Sequence, residues 1–383
     1  MRAMRAESFT GYGGLKLIDV PRPTLAPGRV LVRITAAGVS PLDHTILSGG
    51  HPRATAPLIL GNEGAGVVED PGASSFPVGT RVMFCGSYGV SEDGTYAEWV
   101  AARAEDLCPI PEAIDDATAA GLPVAYLTAQ ITLTQAGFAP GKTVLAPAIG
   151  GAVGNAATQL ARAQGAAKAI STTTSPLKAK QARALGFDEV IDLSVESLVD
   201  GVARLTGGRG VDIVIDSVGG ALTGEALATL ALNGVLTSLG YSAGRKTTID
   251  VTDLIWKRAR MSGFSLFAQA PAVKATAWTS ILALLSSGQV RPIVARTYKL
   301  GAADETLRHL IDDRPFGRVV LLPRTRGIAE AASFTRWRKT DRSRCRSLRE
   351  ASSRMACQHK NHRSPGRMFP PAPCPHQEAA DRF

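Results

Sequence analysis

Residues 143–165, TVLAPAIGGAVGNAATQLARAQG, admit few folds. Residues 144–146 are apolar and short enough for a buried parallel strand, and helical spacing of apolar positions begins at Ala156, Leu160 and Ala163. Between them Gly150, Gly151 and Gly154, with Val153 inside the run, give a turn with few Cβ atoms to hold a ligand off the backbone. The free amides and the dipole at the start of such a helix favour an anion, so the segment reads as a cradle for a nucleotide pyrophosphate. The glycine triplet by itself also fits a ligand-free turn between strand and helix, and the chain beyond it narrows the choice. Residues 167–171 read as a second strand, and a helix carrying Lys178, Ala182 and Leu185 ends at Gly186. Strands at 189–192 and 211–216 then alternate with further helical patterns. Such a βαβ series predicts a doubly wound parallel sheet.

At 383 residues the chain can hold two cores, and 45% apolar residues with 39 glycines suit an α/β enzyme. No apolar run reaches the roughly 18 residues of a membrane span, and the opening MRAMRA lacks the apolar core of a signal peptide. A cytoplasmic protein without membrane contact is expected. The net charge of +10 would suggest a nucleic-acid partner, but its distribution argues otherwise. Residues 324–383 hold 14 Lys/Arg against 5 Asp/Glu, whereas residues 1–323 hold 29 against 28. The part expected to fold is thus nearly neutral. The basic tail, rich in Arg, Ser, Pro and Cys and without periodicity, reads as disordered, an RNA-binding arm being its functional alternative. Cys85 and Cys108 lie in the body and Cys345, Cys357 and Cys374 in the tail, with no metal-site or disulfide-framework spacing.

Residues 1–124 read as short strands separated by turns, not as helices. Runs at 15–20, 30–35, 61–68, 78–84 and 95–100 are broken by Pro21, Pro23 and Pro27-Gly28, and a compact, partly open β-barrel is the natural architecture. The same region carries a family resemblance. PGRVLV at 27–32, AGVSPLD at 37–43, GNEGAG at 61–66, GTRV at 79–82 and LPVAYLTA at 122–129 follow the order seen in medium-chain dehydrogenase/reductases. From about residue 4 to residue 322 the chain resembles their zinc-free quinone oxidoreductase branch. The resemblance implies an α/β fold of four parts: a GroES-like barrel over residues 1–124, a Rossmann NADP-binding domain over 125–265, a return to the first domain over 266–323, and the tail. Zinc-dependent relatives place a cysteine where Ser40 stands and a histidine where Asn62 stands, so no metal is implied, and Glu63 is expected to serve a turn or a charge network.

Site residues follow from the same resemblance. Ser40 and Asp43 occupy the loop where the family places an asparagine and an aspartate near nicotinamide and substrate, and Thr128 matches a threonine that approaches the nicotinamide. These three are the catalytic candidates, although Asp43 can simply pin its loop and Thr128 can bond its own backbone. Gly150, Gly151, Val153 and Gly154 are expected at the pyrophosphate; Val218, Gly240 and Tyr241 at strand ends bordering the nicotinamide; Phe264 and Leu266 in the segment that touches the cofactor on its way back. His44, His51 and Tyr88 are weaker candidates for the pocket mouth. The second strand runs into ISTTTSPLK at 170–178 with no acid to take a ribose 2′-hydroxyl, which predicts NADPH held through Lys178 with Ser175 or Thr173, even though a family tyrosine is Leu193 here. The implied activity is reduction of quinones or α,β-unsaturated carbonyls by direct hydride transfer without zinc, in a homodimer. An enoyl-thioester reductase and a non-catalytic dinucleotide sensor or structural protein remain as alternatives.

Overall fold

The computed structural model describes residues 1–323; the basic tail, read above as disordered, lies outside the described residues. Thr143–Leu145 is buried throughout because it lies inside a six-stranded sheet whose neighbours are all parallel. The order across this sheet is Val190–Asp192, Lys168–Thr173, Thr143–Leu145, Val211–Asp216, Leu230–Ser238, Arg260–Gly263. Helices Ala152–Ala163, Pro176–Ala184, Leu198–Thr206, Ala221–Ala228 and Val251–Lys257 supply the crossovers. Leu145, Ile170, Ile191, Val214 and Leu236 pack with Leu198, Val202 and Leu227 on one face, while Val144, Ala169 and Ile213 share a second core with Ala156 and Leu160. Both faces being covered at the centre of the sheet, residues 144–145 and 213–215 follow one another as buried apolar side chains without alternation. The order in which strands are added reverses between Thr143–Leu145 and Val211–Asp216, outward one way and then the other, and a crevice opens at the carboxyl ends of strands at such a switch point.

The other region is antiparallel over most of its length. Arg29–Gly38 pairs with Glu63–Asp70 along one edge, and on the other with Trp99–Arg103 through residues 29–33 and with Arg318–Leu322 through residues 37–38. One long strand shared by three partners forces the seven-stranded sheet to coil, and Ile34, Phe84, Tyr88 and Tyr96 fill its inside. The partly open barrel is therefore present. Arg318–Leu322 and Val294–Lys299, from the end of the described chain, complete its sheet.

Pro123–Gln135 joins the two regions. It starts with proline at the first helical position, where no amide partner is lost, and is buried nearly all round because it packs on Ala152–Ala163, Pro271–Ser286 and the barrel at once. The all-strand reading of residues 1–124 needs correction, since Pro41–Leu47 and Asp116–Ala120 are helices. Each is a short turn nucleated by its cap, Ser40 with Pro41 in one and Asp115 in the other, too brief to show a helical period. Among the described residues no helix is long and apolar enough to cross a membrane.

Candidate active site

The glycine turn is fixed by its neighbours. Ala148 holds a left-handed conformation at φ 67°, its amide donates to Thr172 Oγ1 at 3.1 Å, and the Ile149 amide donates to Thr172 O at 2.9 Å. Asn155 Nδ2 donates back to Ile149 O at 3.1 Å, and Gln159 Nε2 holds the Asn155 Oδ1 at 2.7 Å. A Cβ on Gly154 would lie 2.2 Å from Pro147 O and 2.4 Å from Ala148 O, so only glycine lets the helix sit directly on the strand end. Gly151 caps Ala152–Ala163 without a side chain, leaving the first helical amides, Val153 among them, without intrahelical partners. Gly317 N–H donates to Gly150 O at 3.0 Å and fastens the end of the described chain onto this turn.

Next to the turn stands a pair of cations. Ser175 caps Pro176–Ala184 by accepting the Lys178 amide, and Lys178 Nζ donates to the Arg314 carbonyl. Burial first, and the Arg314 charge second, lower the Lys178 pKa. Thr173 Oγ1 accepts the Ser175 amide at 3.3 Å, and Thr173 O accepts the Leu193 amide at 2.8 Å. Thr173, Ser175 and Lys178 are thus brought to one corner. Arg314, 136 residues from Lys178, joins them, and nothing in the local sequence pattern announces it.

At the strand ends Val218, Gly240 and Tyr241 come together. Asp216 Oδ1 accepts the amides of Val218 at 2.9 Å and Gly219 at 3.0 Å, and its other oxygen takes the Thr223 hydroxyl. Ala243 N–H donates to Val218 O at 2.9 Å, and a Cβ on Gly240 would lie 2.1 Å from Ser217 O, so the two loops are knitted backbone to backbone. Phe264 N–H donates to Ser238 O at 3.0 Å, which carries the chain past this edge to the buried Leu266.

The barrel contributes a buried polar floor. Asp43 is wholly buried; its Oδ2 accepts the Ser40 amide at 2.8 Å and the Ser40 hydroxyl at 2.9 Å, and its Oδ1 accepts the Gly61 amide at 3.1 Å. Burial raises the Asp43 pKa against the lowering by these donors. The Tyr96 hydroxyl sits close enough to sense this carboxyl, but it makes no hydrogen bond of ordinary geometry. Ser40 Oγ lies 3.5 Å from Asn62 Oδ1. Glu63 is also wholly buried, ion-paired to Arg318 and accepting the Val124 amide at 2.8 Å, so it ties the barrel to the start of Pro123–Gln135. Burial raises its pKa, with Arg318 opposing.

On that helix Thr132 and Thr134 donate to carbonyls four residues back, at 2.7 and 2.9 Å, whereas the nearly buried Thr128 hydroxyl makes no hydrogen bond among the described residues. Among the described residues no three His, Cys, Asp or Glu side chains form a cation site.

Of the weaker candidates, Tyr88 is misplaced by the sequence reading. It is fully buried in the barrel, donates to Asp106 at 2.8 Å, accepts the Arg103 amide at 2.8 Å, and has its pKa raised by burial. His44 leans on Tyr12, ring centroids 5.4 Å apart, and His51 accepts the Arg53 amide at 3.3 Å.

A partly open barrel set beside a doubly wound sheet, with a glycine turn and a buried polar floor at their junction, defines a two-domain oxidoreductase. The chain belongs to the medium-chain dehydrogenase/reductase superfamily. Residues 26–112 match the family described as alcohol dehydrogenase GroES-like domain, and residues 152–286 match zinc-binding dehydrogenase. It is similar to quinone oxidoreductase of Pseudomonas aeruginosa, 32% identical over 324 residues covering 82% of this chain and 98% of that protein. A 2-haloacrylate reductase of Burkholderia sp is 32% identical over 318 residues, covering 78% of this chain and 91% of that protein. Among solved structures, Escherichia coli quinone oxidoreductase complexed with NADPH superposes with a TM-score of 0.77 at 27% identity, over 84% of this chain and all of that one.

Proposed function

We propose that this chain reduces quinones or α,β-unsaturated carbonyls with NADPH, by direct hydride transfer and without zinc. The observation that carries the reading is the floor of the cleft, where Ser40 and Asn62 stand 3.5 Å apart while the adjacent carboxylates are already engaged, Asp43 by three donors and Glu63 by Arg318 and Val124. Two neutral oxygens are a poor donor set for zinc, which takes thiolate, imidazole or free carboxylate. An acceptor that is electrophilic without Lewis-acid help asks least of such a floor. The similarity to a quinone oxidoreductase and a haloacrylate reductase points the same way.

The crevice suits a reduced dinucleotide phosphate. The amides of Ala152, Val153 and Gly154, at the open start of the helix, would take the pyrophosphate beside the Cβ-free turn at Gly150 and Gly151. Thr173, Ser175, Lys178 and Arg314 would take the 2′-phosphate, two cations meeting one doubly charged group. Val218, Gly240, Tyr241, Phe264 and Leu266 would border the nicotinamide. When bound, the cofactor supplies a hydride from C4 of its reduced ring.

The chain's own residues orient the acceptor and meet its developing charge. Thr128 keeps an unengaged hydroxyl for the acceptor oxygen, a donor worth about 2–4 kcal/mol if well aimed. Ser40, whose single proton goes to Asp43, offers only lone pairs toward the cleft, so Asp43 acts as a positioning residue.

We further infer a homodimer through Arg260–Gly263, an exposed edge strand flanked by the exposed Ile255 and Trp256. The test is NADPH oxidation with 1,4-benzoquinone before and after exhaustive chelation. Turnover should persist after chelation, and Lys178→Ala should lower the ratio of kcat/KM for NADPH over NADH on the order of tenfold. Zinc-dependent turnover contradicts the reading, and an unchanged ratio removes Lys178 from it.

A further inference from the structure

We propose that Arg245, with Arg53 three residues along the chain from the Gly50 that it approaches, forms an anion-recognition site at the mouth of the cleft, selecting conjugated acceptors that carry a carboxylate or phosphate group; this rests on the reductase reading above. Arg245 lies in the loop that follows Gly240 and Tyr241, on the dinucleotide side. Its guanidinium carbon is 5.4 Å from the centroid of the Tyr241 ring, and a Cβ placed on Gly50 would lie 3.6 Å from its Nη2. Gly50 in turn packs on Thr45, and its amide donates to Thr45 O at 2.8 Å, so this loop is fastened to the helix Pro41–Leu47 that positions Ser40 and Asp43. The guanidinium therefore spans from the nicotinamide edge of one region to the polar-floor helix of the other, across the approach an acceptor must take.

Two further observations give the span a sign. Among the described residues neither Arg245 nor Arg53 makes an ion pair, whereas barrel arginines such as Arg29, Arg81, Arg103 and Arg318 are all matched to carboxylates. The imidazole of His51, next to Gly50, has its pKa lowered by burial and then by the Arg53 charge, so the local field is positive without help from the histidine. A planar donor fork held by an aromatic face suits a carboxylate or phosphate oxygen pair. The loop pinned by Gly219, Gly220 and Gly244 holds it in place: Gly220 N–H donates to Gly244 O at 3.0 Å. Cofactor phosphates have their own donors at the glycine turn and at Lys178 and Arg314, which leaves this cation for the other ligand.

The test uses matched pairs of acceptors on the whole protein: trans-4-oxo-2-pentenoate against its methyl ester, and crotonyl-CoA against crotonyl N-acetylcysteamine. Wild type should favour the charged member of at least one pair, and Arg245→Gln should lower kcat/KM for that member on the order of tenfold, with its neutral partner changed less than about twofold. A response in the first pair identifies a carboxylate, in the second a carrier phosphate. Arg53→Gln should act in the same direction and more weakly. Calorimetric binding of the keto acid and its ester reads the same preference if turnover is absent, so failure of the reductase reading and failure of anion recognition are told apart. Equal losses for charged and neutral members, no loss for either, or a raised KM for NADPH with the neutral acceptor would overturn the proposal.

Discussion

Asp43 shows what a single carboxyl can be made to do by its surroundings. Three donors hold it, yet burial raises its pKa from an ordinary 3.8, so the folded protein retains a proton that the unfolded chain has released over the interval between 3.8 and the raised value. The sign follows: the contribution of this group to stability is fully present below 3.8 and is lost as pH rises through the raised folded value. Each pH unit inside that window is worth about 1.4 kcal/mol. Asp43→Asn cannot titrate, so the melting-temperature difference between wild type and variant should be largest at the acid end and shrink as pH rises; a difference that is flat or grows with pH contradicts this. Glu63 occupies a neighbouring niche with a different task. The sequence reading reached it by eliminating metal chemistry, but its partner Arg318 lies 255 residues away and no local pattern points to it. Arg314 was hidden for the same reason, whereas Tyr88 was misread because an aromatic in a glycine-rich stretch looks alike whether it lines a cleft or fills a barrel.

At the level of elements, the strand, glycine turn and helix at residues 143–163 were legible because their signals are local: an apolar run, a loss of Cβ atoms, then a helical period. The sheet was legible for a related reason, since burial on both faces leaves consecutive apolar residues in its central strands, at residues 144–145 and 213–215. Pro41–Leu47 was not, because seven residues held by a cap carry no period. The turn also makes a sharp distinction between two of its glycines. On Gly154 a Cβ would strike backbone oxygens at 2.2 and 2.4 Å, whereas on Gly151, with φ −83°, the nearest atom would be 3.2 Å away. Gly154→Ala should therefore push helix from strand, costing about 1–3 kcal/mol and weakening NADPH binding, while Gly151→Ala, with only one tight contact to relieve, should lose clearly less melting temperature than Gly154→Ala. Nucleotide fluorescence quenching and thermal melts on both variants check this, and equal losses would count against the assigned contacts.

For the whole molecule the inferred pairing uses the exposed edge strand and the residues beside it. Val251, Ile255 and Trp256 are 62, 67 and 76% exposed, an apolar set that a monomer has no reason to display next to an open strand edge. Trp256→Glu should convert the dimer to a monomer in sedimentation while retaining turnover, since Trp256 itself is exposed and no part of the site; a wild type that sediments as a monomer ends the inference. Two regions joined through Pro123–Gln135, the hydrogen bond from the Val124 amide to Glu63 and the Gly150–Gly317 contact bring a nucleotide cradle and a buried polar floor to one crevice. The most direct measurement is the fate of deuterium from NADPH dideuterated at C4, with cyclohex-2-enone as acceptor and protein stripped of metal by exhaustive chelation. The account predicts cyclohexanone carrying one deuterium at the former β-carbon, formed at the rate of untreated protein; product without deuterium, or product formed only after zinc is restored, would contradict it.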